Sequence, residues 1–251
     1  MSGHSHWATI KHKKAAADAK KGKVFSKIAK QIYVAARQGG GDPDMNPALR
    51  MILDKARVAG LGKDNIKRAI ARATGQGADG IKIEEITYEG YGPGGVALLI
   101  SVATDNRNRT GPAVRNIIEK RGGKMGNSGS GAWMFKFKGQ VDVAREAIEE
   151  DKLMEVVLEA GAEDLESGDE FYSITTGPEE FGKVCKALEE AGIKTESAEM
   201  SYIAENNVEL SVDAARKVLA LMSELEDDDD VNNVYTNFEM TAELAAELAK
   251  D

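Results

Sequence analysis

Residues 96–103 read VALLISVA, a run whose one polar member is Ser101. It is too short to cross a bilayer, and a strand apolar on both faces belongs at the centre of a sheet with cover on each side. The rest of the chain must therefore supply neighbouring strands and packing helices. Upstream, 83–89 reads as a partner strand joined to 96–104 by the glycine-rich turn EGYGPGG.

Before residue 81 the period is helical. A helix through 20–37 places Phe25, Ile28, Ile32 and Ala36 on one side and Lys20, Lys23, Lys27 and Lys30 on the other. Gly39, Gly40, Gly41, Asp42 and Pro43 stop it, and Asn46-Pro47 caps a second helix running to Gly60. The segment KDNIKRAIARAT forms a third, burying Ile66, Ala69 and Ile70 and exposing Lys67, Arg68 and Arg72.

After residue 81 the expected elements are a helix at 110–120, strands at 132–138 and 208–212, a helix at 213–225 and a strand at 231–240. With 96–104 these make βαββαβ. A second complete unit, with helices at 145–160 and 178–191, fills the gap. The expected fold is α+β: a basic helical domain over 1–80, a discontinuous ferredoxin-like domain from 81–138 and 206–240, and an inserted ferredoxin-like domain at 139–205. Residues 241–251 form a terminal helix or tail.

Charge is divided along the chain. Residues 1–80 carry 16 Lys and Arg against 6 Asp and Glu, whereas the remainder is net −19 and the whole −9. Over 11–37, nine basic residues including Lys11, Lys13, Lys14, Lys20, Lys23, Lys27 and Lys30 face a single acid, Asp18. Solvated surfaces mix signs; a one-sign run points to a polyanion. Because potential decays within about 10 Å at ordinary salt, the acidic remainder does not prevent this.

A second basic segment, 105–138, is net +6. Arg107 and Arg109 in TDNRNRT precede a helix with Thr110 as its cap, where they either address phosphate or pair with acids of a neighbouring domain. Lys124 and Met125 lie in a glycine- and serine-rich loop, 122–131, read as disordered or as a finger ordered by a partner.

Catalytic signals are weak. Gly90, Gly92 and Gly95 fit GxGxxG but link two strands, not a strand to a helix, so a structural hairpin is expected, with Tyr88 and Tyr91 as stacking surfaces. His4, His6 and His12 have no accompanying ligand set, and Asp227–Asp230 lack the glycine and closing glutamate of a calcium loop. Cys185, the single cysteine, sits among Phe181, Val184 and Leu188 as a packing thiol. No enzyme, metal or cofactor is expected, and neither is a membrane span or an oxidising compartment.

The motifs GHSHW, IKHKKAAADAKKGKVFSKIAKQI, GGGDPDMNPALR, KDNIKRAI, YEGYGPGGVA, TDNRNRT and LEDDDDVNNVYTN, in this order, resemble the YebC family. Two departures are His6, where lysine is usual, and Gly62, where proline is common before KDN. The resemblance implies three domains and a cytoplasmic, non-enzymatic regulator of gene expression, as bacterial members are named probable transcriptional regulators and mitochondrial relatives are translational activators. The expected partner is nucleic acid, either DNA or ribosomal RNA on the ribosome, with the protein a monomer. Lys11, Lys13, Lys14, Lys20, Lys23, Lys27, Lys30, Lys67, Arg68, Arg107, Arg109 and Lys124 are the expected contacts. Irregular RNA suits separate basic elements better than duplex DNA does. The other class is a protein-interaction module whose acidic α+β domains bind a basic partner.

Overall fold

A computed structural model of the chain describes residues 19–75, 82–168 and 170–248. In chain order its elements are α1 (Ala19–Gly39), α2 (Pro47–Ala59), α3 (Lys63–Ala73), β1 (Glu84–Tyr91), β2 (Ala97–Thr104), α4 (Arg107–Lys120) and β3 (Lys124–Met125). There follow β4 (Phe135–Ala144), α5 (Glu150–Glu159), β5 (Ala162–Ser167), β6 (Phe171–Thr176), α6 (Phe181–Glu190), β7 (Thr195–Ala204), α7 (Val212–Glu226), β8 (Val231–Thr236) and α8 (Ala242–Leu248). They divide into two compact units: one runs to Ala132 and takes back Leu210–Thr236, the other comprises Trp133–Glu209 and the residues from Asn237.

In the first unit, Ile28, Ile32, Leu49, Leu53, Ala56, Leu61 and Ala69 form the core of the three helices. Each fully buried Leu or Ile contributes about 2 kcal/mol. Asn46 caps α2 as expected, accepting from the Leu49 N–H at 3.1 Å. Its amide also donates to the Ala35 and Gly40 carbonyls at 2.9 and 2.8 Å, tying the end of α1 to the start of α2. The helices do not stand apart from the sheet. Tyr33 and Val34 of α1 pack on Ala103 of β2, so α1 is buried on a second side that the simple division into apolar and basic faces does not predict.

The sheet of this unit has the order β3-β1-β2-β8, antiparallel throughout. β2 is central, and Ala97, Leu98, Leu99, Ile100, Val102 and Ala103 are buried, as its composition requires. Two expected strands are absent from this sheet. The segment at 208–212 gives only a bridge from Val208 to Phe238, because Ser211 caps α7 by accepting from the Ala214 N–H. The segment at 132–138 belongs to the other unit, and β1 takes the slot next to β2 instead.

The second unit runs β4-α5-β5-β6-α6-β7, with sheet order β5-β6-β4-β7, the ferredoxin-like arrangement. The expected strand at 132–138, taken to end before Gly139, is the first part of a longer strand, β4, continuous through Gly139. That glycine marks close approach and not a strand end: a Cβ there would collide with the Phe181 ring and the Thr176 hydroxyl. The expected boundary at 138/139 therefore falls inside a strand. α5 is shorter than the expected 145–160, since Arg145–Ala147 forms a separate 3-10 turn.

Between β1 and β2, Gly94 and Gly95 adopt left-handed φ of 76° and 78°, which is why the turn is glycine-rich. The GxGxxG match thus lies in a hairpin, as its context indicated. Among the described residues, no helix is long and apolar enough to cross a membrane.

Candidate nucleic-acid interface

Lys11, Lys13 and Lys14 lie outside the described residues, as do His4, His6 and His12; Lys20 falls in α1, with its side chain outside them. The next three lysines are engaged within the chain. Lys23 Nζ donates to the Asp227 carbonyl at 3.0 Å and Lys27 Nζ to the Glu226 carbonyl at 2.5 Å. Lys30 Nζ reaches both the Asp229 carbonyl, at 2.9 Å, and Asp230 Oδ1, at 2.5 Å. The physical reason is the C-terminal end of α7, where unsatisfied carbonyls, the negative end of the helix dipole and the run Asp227–Asp230 coincide. The acidic run Asp227–Asp230 is thus an internal partner of the basic helix.

Asp230, 5% exposed, is the centre of this junction. Besides Lys30 it accepts from Arg109 Nη2 at 2.7 Å, Thr110 Oγ1 at 2.5 Å and Thr104 Oγ1 at 3.0 Å. Burial opposes its ionisation, but the bonds from Arg109, Lys30 and Thr110 outweigh it and hold the carboxyl well below the usual carboxylate range. The pair Arg107 and Arg109 therefore separates. Arg109 bonds Asp230 and, at 3.0 Å, Asp105. Arg107 is exposed and makes no ion pair among the described residues. α4 begins earlier than expected, with Asn106 as its cap accepting from the Arg109 N–H, and Thr110 is a buried residue of the first turn.

The loop containing Lys124 is ordered by the chain itself, not left as a free finger. Glu89, 6% exposed, accepts from the backbone N–H groups of Gly129, Gly131 and Ala132 at 2.6, 2.6 and 2.8 Å. Tyr91 Oη donates to the Ser130 carbonyl at 2.7 Å. Burial raises the Glu89 pKa, and the three N–H bonds more than reverse that, leaving it lowered. Lys124 is exposed on β3.

Lys67 and Arg68 are exposed on α3 and make no ion pair among the described residues. Arg68 also lines a cleft of about 450 Å³ between α1 and α3. The cleft brings Lys30 and Arg68 together with Phe25, Ser26, Tyr33, Asn65, Arg72 and Asp105. Lys67, Arg107 and Lys124 do not line it. Asp230, Ser26, Asn65 and Arg72 are absent from the contacts expected from sequence. For Asp230 a signal existed in the opposite charges of the two segments; for the cleft residues it lay only in the helical spacing of 65, 68 and 72.

Cys185 is half-buried in α6, and burial pushes its thiol up, consistent with a packing role. Among the described residues, no group of His, Cys, Asp and Glu is arranged to hold a metal ion.

Residues 5–76 match the TACO1/YebC protein N-terminal domain, and residues 83–238 match the TACO1/YebC second and third domain. A probable transcriptional regulatory protein of Chlorobaculum tepidum is 52% identical, covering 100% of both chains. Another so named, from Rubrobacter xylanophilus, is 52% identical over 99% of this chain and 100% of its own. The crystal structure of a conserved hypothetical protein from Aquifex aeolicus superposes with a TM-score of 0.84 at 43% identity, covering 94% of this chain and 97% of that one. With both domain matches in order and identities above half along the full length, the chain belongs to the TACO1/YebC family, whose similar members are named probable transcriptional regulatory proteins.

Proposed function

We propose that the protein is a non-enzymatic, cytoplasmic regulator of gene expression that binds nucleic acid through its N-terminal helical segment. The observation that carries this reading is that Lys67, Arg68 and Arg107 are exposed and make no ion pair among the described residues, with Arg68 lining the cleft. The names of the relatives support the regulatory part. Lys11, Lys13, Lys14 and Lys20 extend the same charge along the chain, and Lys124 adds a separate contact. Lys23, Lys27, Lys30 and Arg109 serve chiefly to hold α1 against the acidic end of α7, so that phosphate reaches them only in competition with it.

RNA, including ribosomal RNA, fits better than duplex DNA, because these cations are spread over α3 and α4, with Arg68 lining a concave cleft, and are not gathered on one helix shaped to enter a groove. On this reading the protein acts as a monomer on a ribosome-associated target. The acidic turn, a natural site for a basic protein partner, is instead occupied from within.

Binding of the full chain to single-stranded and duplex RNA and DNA, followed from low to high salt, tests this. Each phosphate neutralised contributes about −0.7 to the log–log salt slope on single strands and about −0.9 on duplex DNA. Replacing Lys67, Arg68 and Arg107 with glutamine is expected to weaken binding and flatten the slope by about two to three contacts' worth. A wild-type affinity independent of salt, or one unchanged in the triple variant, refutes the assignment.

A further inference from the structure

We propose that the cleft between α1 and α3 seats one unstacked nucleobase of a single-stranded nucleic acid, with the adjoining phosphate on Arg68. This deepens the nucleic-acid reading above and rests on it. One wall comes from the face of α1 bearing Gly22, Phe25, Ser26 and Ala29, the other from Asn65, Arg68, Ala69 and Arg72 of α3. Both sets have helical i, i+3 and i+4 spacing, so each is a continuous face turned into the space.

The α1 wall is built of small residues around an aromatic one. Among the described residues, a Cβ added at Gly22 would meet nothing within 4 Å. About 450 Å³ lies within the usual range for a small-molecule site, ample for one base and its sugar.

The lining also has the right chemistry. Phe25, half-buried on α1, offers an aromatic surface on which any base can stack. Asn65 carries both an amide donor and a carbonyl acceptor, the combination a base edge requires. The Arg68 guanidinium makes no ion pair among the described residues and suits a phosphate. An apolar partner segment would bury that guanidinium unpaired, whereas a nucleotide supplies the anion together with the flat apolar body.

The test uses the full chain and a strand of about 12 nucleotides carrying one 2-aminopurine, alone and annealed to its complement. Wild-type protein is expected to change 2-aminopurine fluorescence in the single strand and to favour that strand over the duplex. Ser26→Leu, which fills the cleft from an exposed helix position without altering charge, should lower single-strand affinity about 10-fold and abolish the fluorescence change. Duplex affinity and melting temperature should stay as in wild type. Asn65→Ala, at an exposed position, gives a second variant, expected to weaken single-strand binding without affecting folding. Arg57→Gln on α2, which removes a charge outside the cleft, should not alter the single-strand preference.

If Ser26→Leu and Asn65→Ala both fold and leave single-strand affinity and fluorescence unchanged while salt-dependent binding persists, the cleft assignment is overturned and general nucleic-acid binding stands. If neither strand form binds wild-type protein at any salt concentration, both readings fall together.

Discussion

Asp230→Ala should be among the most damaging charge-to-alanine changes in the first unit, although sequence places Asp230 in an acidic run. The substitution removes the acceptor for Lys30, Arg109, Thr104 and Thr110 at once. Breaking a buried ion pair by deleting one partner costs about 3–5 kcal/mol. Three features put this case at the lower end. The Arg109 side chain is 56% exposed and regains water. Thr104 and Thr110 hydroxyls lie 2.8 Å apart and pair with each other. Lys30 keeps its bond to the Asp229 carbonyl. What remains is the Lys30 ammonium, 17% exposed, without its counter-charge. The expected loss is about 3 kcal/mol, or roughly 6–12 °C in a domain of this size. Hydrogen exchange of α1 and β8 amides reads the first unit by itself, and urea unfolding gives the total. The pH dependence supplies a second check. A folded-state pKa held below the unfolded value of about 4 contributes stability that is present above that value and lost as pH falls towards the folded one. Wild-type protein should therefore lose stability below about pH 5, and Asp230→Asn should lose less over the same interval. A change within about 0.5 kcal/mol for Asp230→Ala, the usual range for a surface substitution, would refute the idea that this junction anchors α1.

The arginines of TDNRNRT should behave differently when separated: Arg109→Ala lowers the melting temperature and Arg107→Ala does not, while Arg107→Ala reduces regulatory output and nucleic-acid binding. Equal effects of the two on melting would show that the Asp230 contact contributes nothing. Glu89→Gln replaces a two-oxygen acceptor of three backbone N–H groups by a side chain with one oxygen. We expect a loss of about 1–3 kcal/mol and faster proteolysis within 126–132, measured by limited digestion; an unchanged cleavage rate would mean that the loop is ordered by other contacts. Gly139→Ala drives a methyl into Phe181 and Thr176 and should cost about 1–3 kcal/mol on chemical denaturation of the second unit. An unaffected denaturation midpoint would contradict a tight approach there.

Much of the architecture was legible because local patterns dictate it. The fully apolar 96–103 run had to be a central strand, Asn46-Pro47 had to open a helix, and two glycines with positive φ had to lie in the hairpin turn rather than a phosphate-binding loop. The misread elements share one cause, which is that a residue's partner lay far away in sequence. Gly139 looked like the end of a strand because Phe181, the ring packed over it, is remote in the chain. The 122–131 loop looked free because the carboxylate that orders it belongs to β1.

Charge shows the same division most clearly. Amphipathic spacing by itself determined that α1 is a helix with Lys23, Lys27 and Lys30 on one side, since 100° per residue leaves no alternative. Whether those ammonium groups meet solvent, a phosphate or the chain's own carbonyls is not a local property. Tertiary structure decided it by bringing the end of α7 and Asp230 within hydrogen-bond reach of α1, some 200 residues apart in sequence. Of the described cations expected as contacts, it thereby left Lys67, Arg68, Arg107 and Lys124 exposed and without an ion pair among the described residues, because hydrogen bonds and ion pairs of this kind act over a few ångströms, a distance that sequence separation does not measure.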